Sequence, residues 1–277
     1  MDNQLRRLQL TQLELLKVFD RICRKHDIKY SLYAGSLLGA VRHKGFIPWD
    51  DDLDVCMSRA EYDRFISVWP GEDTEGYILQ NKDLVPAFFQ SFTKIRKDHT
   101  AFVMYESEMG KFHTGIFLDI FPIDRIPSGK FQRMLFKWHC MVYQLMVKGF
   151  APPLSSAPVR FGSNVILFLI PKSRRDAVRQ KMLRKMTQYN DRHELETVAV
   201  ETMGSLRKTF APDMLDEYVY LPFEDGEFMC FAGWEDHLRR KFGDYMQLPP
   251  EEERAWRHHP IVLDFERSYE EIKAGNV

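Results

Sequence analysis

Trp49-Asp50-Asp51-Asp52-Leu53-Asp54, with Gly35-Ser36 ahead of it, is the stretch from which the rest of this chain can be read. From Asp52 to Met57 polar and apolar residues alternate, the two-residue period of a half-buried strand. Asp52 and Asp54 therefore share one strand face, whereas Asp50 and Asp51 are secondary. Upstream, Lys29 to Ala34 predicts a short strand, Gly35-Ser36 breaks it, and Leu37 to Arg42 predicts a small-residue helical turn. Gly45 and Pro48 punctuate the loop that follows. Downstream, Gly115 to Phe121 predicts another strand with a single acid, Asp119, that Pro122 should end.

This order of parts suits phosphoryl transfer, which asks a protein mainly for carboxylate-held divalent metal, donors on phosphate oxygens and an aligned nucleophile. Asp52, Asp54 and Asp119 are the candidate catalytic and metal-holding residues. The expected ion is Mg²⁺, with Mn²⁺ as its substitute, because both favour oxygen ligands. Gly35 and Ser36 offer close backbone approach, N–H donors and a hydroxyl to a donor phosphate. Arg42, Lys94 and Arg96 are candidate donor-binding cations, with solvent-facing positions as the alternative. An EF-hand would use Asp50, Asp52, Asp54 and Glu61, but Val55 occupies the place where that loop turns on glycine. His258-His259 reads as a surface pair, and Asp124 as a turn residue.

Around this core, Leu5 to Cys23 predicts an amphipathic opening helix, and Ser58 with Glu61 a capping box that starts the helix from Arg59 to Trp69. Strand-like runs follow at Tyr77 to Gln80, Phe88 to Ile95 and Ala101 to Tyr105. Helices are expected from Ser128 to Lys148 and from an N-cap at Ser173 to Tyr189. A turn-rich connector, Ala151 to Pro158, and an apolar run, Val165 to Ile170, lie between them. Tyr218 to Phe223 and Glu227 to Phe231 flank an Asp-Gly turn as a hairpin, and Trp234 to Phe242 predicts a short helix.

The 277 residues carry 39 Lys+Arg against 40 Asp+Glu, a balance that excludes a broadly basic nucleic-acid binder. Four dispersed cysteines without C-x-x-C indicate neither a zinc knuckle nor a disulfide framework, and fit a reducing cytoplasm. Met1 to Arg7 has no signal-peptide character, and no apolar run reaches the ~18 residues of a transmembrane span.

Taken together, Gly35 to Val55, Lys94-Ile95-Arg96, Asp119 to Asp124 and Phe242 to Pro250 resemble the LicD family of phosphocholine transferases, related to the fukutin proteins. The resemblance implies an α+β fold: a nucleotidyltransferase-like mixed β-sheet core flanked by helices, with an added helical region. The corresponding division is 1–127 for the catalytic core, 128–215 for the helical region and 216–277 for a hairpin and helix packing back on the core. The implied reaction moves a phosphorylated alcohol, typically phosphocholine from CDP-choline, to a sugar hydroxyl of a surface-glycan precursor, with CMP leaving. Mg²⁺ on Asp52 and Asp54 would bridge the diphosphate, and Asp119 would hold a second metal or take the acceptor proton. Gly35-Ser36 would contact donor phosphates. Lys94, Arg42 and Arg96 would neutralise developing charge.

Trp49, Tyr33, Trp234, Tyr245 and Trp256 are available for a choline cage or for the core. The acceptor would be a glycan or lipid-linked glycan, and the enzyme cytoplasmic and peripheral to the inner face of the plasma membrane. Phe161, Val165 and Phe168 with Lys172, Arg174 and Arg175 could supply membrane contact, or pack as a second helical layer. Two other functions compete: a nucleotidyltransferase that spends a nucleoside triphosphate, and a non-enzymatic metal-binding or scaffold protein.

Overall fold

The structure, a computed structural model, describes residues 3–153, 155–199 and 209–275, and all of these side chains except those of Ser107 and Ala199. Part of the expected 128–215 region, 200–208, lies outside the described residues. In chain order the elements are α1 (Asn3–Lys25), β1 (Ser31–Leu32), α2 (Ala34–His43), β2 (Asp54–Ser58), α3 (Arg59–Val68), β3 (Tyr77–Gln80), β4 (Thr93–Lys97), β5 (Ala101–Val103) and β6 (Phe117–Arg125). Then follow α4 (Lys130–Lys148), α5 (Ala157–Leu169), α6 (Lys172–Thr187), β7 (Thr197–Ala199), β8 (Tyr218–Phe223), β9 (Gly226–Phe231), α7 (Trp234–Phe242), β10 (Val262–Asp264) and α8 (Tyr269–Gly275). The class is α+β, as expected.

Two compact units divide the chain. The sheet unit is Met1–Gln80, Thr93–Pro122 and Met214–Val277, and the helical unit is Asn81–Phe92 and Ile123–Asp213. The helical unit thus takes Asn81–Phe92, which the sequence division groups with the core.

In the sheet unit, strands run in the order β1-β2-β6-β4-β3, with β4 antiparallel to both β3 and β6. Leu8, Leu15, Leu16, Phe19 and Ile22 recur at helical spacing on α1 and are buried in the core beside the sheet. Phe19 meets Tyr30 edge-on at 4.8 Å between ring centroids and also packs on Phe65, the kind of aromatic cluster that fixes a helix on a sheet. In the helical unit, Phe136, Cys140, Tyr143 and Val147 form the inward stripe of α4 and pack with Met186 of α6 and Val198 of β7.

Several local expectations are corrected. Pro122 does not end β6, because it falls between the pairing with β4, which stops at Ile120, and that with β7, which starts at Ile123. No ladder N–H is required there, so the missing donor does no harm. The strand before Gly35 shrinks to Ser31–Leu32, and the run at Phe88 to Ile95 becomes β4, beginning at Thr93. Ser173 is not an N-cap, since α6 starts at Lys172 behind Pro171. Only the end of the connector, Ala157-Pro158, joins the apolar run in one helix, α5, with Pro158 in the first turn where its missing N–H is tolerated. The β8-β9 turn residues are Glu224 and Asp225, with Glu224 at φ 56°. Ser58 does cap α3, accepting from the Glu61 N–H.

Candidate active site

The acidic loop is held from behind by α1. Gln9 and Gln12 lie on its buried face, and their Nε2 amides donate to the Asp50 carbonyl at 2.9 Å and the Asp51 carbonyl at 3.0 Å. A buried amide must be satisfied, so these two polar residues on an otherwise apolar stripe dock the loop on the helix. Further along, Leu53 and Val55 are buried while Asp52 and Asp54 are half-buried, the alternation expected for a shared face. Regular strand begins only at Asp54, so Asp52 belongs to the loop leading into β2.

Gly35 and Ser36 turn out to support that loop directly. A Cβ on Gly35 would stand 2.4 Å from Asp50 Oδ2, so the glycine leaves the Asp50 carboxylate its present position and a larger residue would make that side chain shift. The Ser36 hydroxyl, buried in the first turn of α2, accepts from the Asp54 N–H at 2.8 Å, and the Ser36 N–H donates to the Tyr33 carbonyl. Both residues thus position carboxylates.

Asp119 lies on β6 beside the loop, its N–H donating to the Leu53 carbonyl at 3.0 Å. Across the β4-β6 register it faces Lys94, whose Nζ reaches Asp119 Oδ1 at 2.5 Å and sits 3.3 Å from the centre of the Phe117 ring. Burial pulls the Lys94 ammonium below its usual range, and Asp119, then Asp54, oppose that shift. Arg96, the next residue on that face, donates Nε to Gln80 at 2.6 Å and Nη1 to the Gly115 carbonyl at 2.7 Å. Burial lowers it to about 10. These contacts tie β4 to its neighbours.

Charge inside the loop is costly. Burial raises the Asp50 carboxyl to about 7, and the Asp52 charge adds to the effect. Asp52 is raised too, by burial first, with Asp51 and Asp119 repelling it and His258 opposing them. Asp51, wholly buried, accepts from the His258 N–H at 2.7 Å and meets His258 Nδ1 at 3.1 Å. That contact raises His258. Asp51, Asp52 and His258 are also the described residues whose ligand atoms gather within 4.8 Å of one another. His258 is therefore part of the site, not the surface residue its sequence context suggests, and Asp51 is its anchor.

The C-terminal segment returns over α2. Arg42 Nη1 donates to the Tyr245 carbonyl at 2.9 Å, and Arg254 lies 5.4 Å from the centre of the Trp49 ring, whose other neighbour is His43. Of the aromatics available for a cage, Tyr33 is buried against Phe121 and His237, and Lys241 Nζ stands 4.0 Å from its ring centre. Trp49, Trp234 and Tyr245 are partly buried on the core.

Clustered carboxylates beside a buried lysine, on a loop and two sheet strands, make a site of the kind that can hold a divalent cation. Comparison with known proteins is narrower. Residues 27–158 match the family model described as LicD/FKTN/FKRP, nucleotidyltransferase domain. Over 266 residues, 92% of this chain and 96% of the relative, the sequence is 30% identical to lipopolysaccharide cholinephosphotransferase LicD of Haemophilus influenzae. A shorter match, 36% identity over 75 residues, covers 27% of this chain and 24% of an uncharacterized protein of Rickettsia typhi. The chain belongs to the LicD family and is a phosphotransferase.

Proposed function

We propose that this phosphotransferase moves phosphocholine from CDP-choline to a sugar hydroxyl of a cell-surface glycan precursor, on the cytoplasmic side, with Mg²⁺ at the acidic loop. The observation that carries the reading is the gathering of ligand atoms of Asp51, Asp52 and His258 within 4.8 Å of one another, with Asp119, paired with Lys94, on the strand whose backbone bonds to that loop. The relative named for lipopolysaccharide cholinephosphotransfer supports the choice of donor group and acceptor.

The donor set suits a hard divalent cation, because burial and mutual repulsion leave the loop carboxylates short of positive charge. In this reading the metal falls to Asp52, Asp54 and Asp119, next to Asp51 and His258, which contact each other and whose ligand atoms gather with Asp52 within 4.8 Å. Mg²⁺ bound there would neutralise the diphosphate and the leaving CMP. In the transfer the acceptor oxygen bonds to the choline phosphorus, the bond from that phosphorus to the CMP oxygen breaks, and the hydroxyl proton passes to Asp119. Lys94 orients the Asp119 carboxylate. Arg42, which burial and then the nearby Arg254 charge pull below its usual range, and Arg254 itself are the cations for the phosphates.

Product analysis tests the reading. Purified protein with CDP-choline, Mg²⁺ and a glycan acceptor should release CMP and label the acceptor with choline phosphate. Release of pyrophosphate from CTP or ATP, with CDP-choline untouched, would establish a nucleotidyltransferase instead. Mg²⁺ should raise the melting temperature of the native protein and not of Asp52→Asn. No shift at millimolar Mg²⁺ would count against the metal site.

A further inference from the structure

The helical unit carries a surface that its own fold does not use. From Lys130 to Thr187 the chain has twelve Lys or Arg and one acidic residue, Asp176, within a protein of formal net charge -1. On α4, Phe131, Met134, Leu135 and Trp138 recur at helical spacing and are exposed. The same stripe continues as Val142 and Leu145, and these are buried, packed with Ile166, Leu167 and Ile170. Helix α5 therefore covers one half of the stripe and leaves the other bare.

Helix α5 has no buried residue, and its outer stripe of Phe161, Val165, Phe168 and Leu169 faces water, with Phe161 72% and Phe168 87% exposed. It is nonetheless fastened, since Arg175 donates to the Leu167 carbonyl at 2.8 Å and to that of Ile170 at 3.3 Å. Exposed cations border both stripes: Lys130, Lys137 and Lys148 along one edge of α4, Arg160 beside Phe161, and Lys172 and Arg174 at the start of α6.

We propose that the outward face of α4 and α5 docks in the plane of an anionic lipid surface. Large aromatic side chains bordered by lysine and arginine are what an interfacial helix needs, apolar groups in the acyl boundary and cations at the headgroups. Among the described residues no helix is long and apolar enough to cross a membrane. The 13 residues of α5 span roughly 20 Å, short of the ~30 Å hydrocarbon core, so it lies on the bilayer. Charge chooses the occupant: a second copy would press like-charged faces together, whereas an anionic leaflet complements them.

Sedimentation with vesicles tests this without donor or acceptor, so a negative result leaves the transfer chemistry untouched. The full chain should pellet with phosphatidylglycerol–phosphatidylcholine vesicles, stay in solution with phosphatidylcholine alone, and release as salt rises. Phe161→Ser with Phe168→Ser should lower partitioning about a hundredfold. Lys172→Gln and Arg174→Gln should each lower it roughly fivefold. All these side chains are exposed, so circular dichroism should be unchanged. No pelleting of the native chain, or equal pelleting of all variants, overturns the proposal. So does a native dimer by light scattering that the double Phe variant converts to monomer, which would assign the face to a second copy.

Discussion

Around the acidic loop the sheet unit takes charge inside, with Asp51 and Lys94 both buried, whereas the helical unit leaves Phe161 and Phe168 in water. The ion pairs differ in the same sense. Lys94 and Asp119 are both buried, at 8% and 11% side-chain exposure, while Arg179 is buried but its partners Asp83 and Asp176 are wet, at 59% and 72%. A pair buried at both ends stabilises little for what its desolvation costs, so its place is best explained by chemistry. Arg179 has an ordinary structural task, anchoring α6 through acids that solvent also serves. The contrast teaches where each unit departs from the arrangement that folding alone would favour, and departures of that kind mark function.

The largest test of this contrast is catalytic. Asp52→Asn should lower phosphocholine transfer on the order of a thousandfold while retaining the native circular-dichroism spectrum. Turnover within tenfold of native would remove Asp52 from the machinery. Next comes stability in denaturant. Lys94→Met strands a buried carboxylate and should cost about 3 kcal/mol, against about 1 kcal/mol for Arg179→Met, whose partners stay hydrated. Equal losses would erase the distinction.

Gly35→Ala should cost no more than about 1 kcal/mol, because the added methyl displaces only the end of the Asp50 side chain. It should also weaken turnover, and a crystal structure with Asp50 unmoved would refute the steric account. A pH series on His258→Gln sharpens the role of the Asp51 clamp. Asp51 raises His258, so the stabilisation is fully present below the unfolded value of about 6.5 and is lost as pH rises through the folded value. The stability difference between native and variant should therefore narrow with rising pH, and a constant difference would argue against protonated His258. The smallest expected effect belongs to Phe161→Ser with Phe168→Ser, whose folding stability should stay within about 0.5 kcal/mol of native.

Much of the site is legible locally. The alternation from Asp52 to Val55, the capped start of α3 and Asp119 on a strand each follow from a short-range period or a cap, and each is present in the structure, although β6 runs on past Pro122 to include a second buried acid, Asp124. Gln9 and Gln12 were in principle visible, as polar residues on the apolar stripe of α1, yet spacing alone does not say what they bind. His258 gave no signal, because its partner is 207 residues away.

By itself, then, the sequence determined the family, most of the elements around the acidic loop and the alternation that leaves Asp52 and Asp54 half-buried, while missing α5 and the length of β6. Tertiary structure decided that Gly35 makes room for Asp50, that Ser36 holds the Asp54 amide, that Lys94 pairs with Asp119 and that Asp51 grips His258. The physical reason is range. Periodicity and capping act within a few residues, whereas the partner of a buried charge is chosen by whichever distant segment packs against it and can offset its lost hydration.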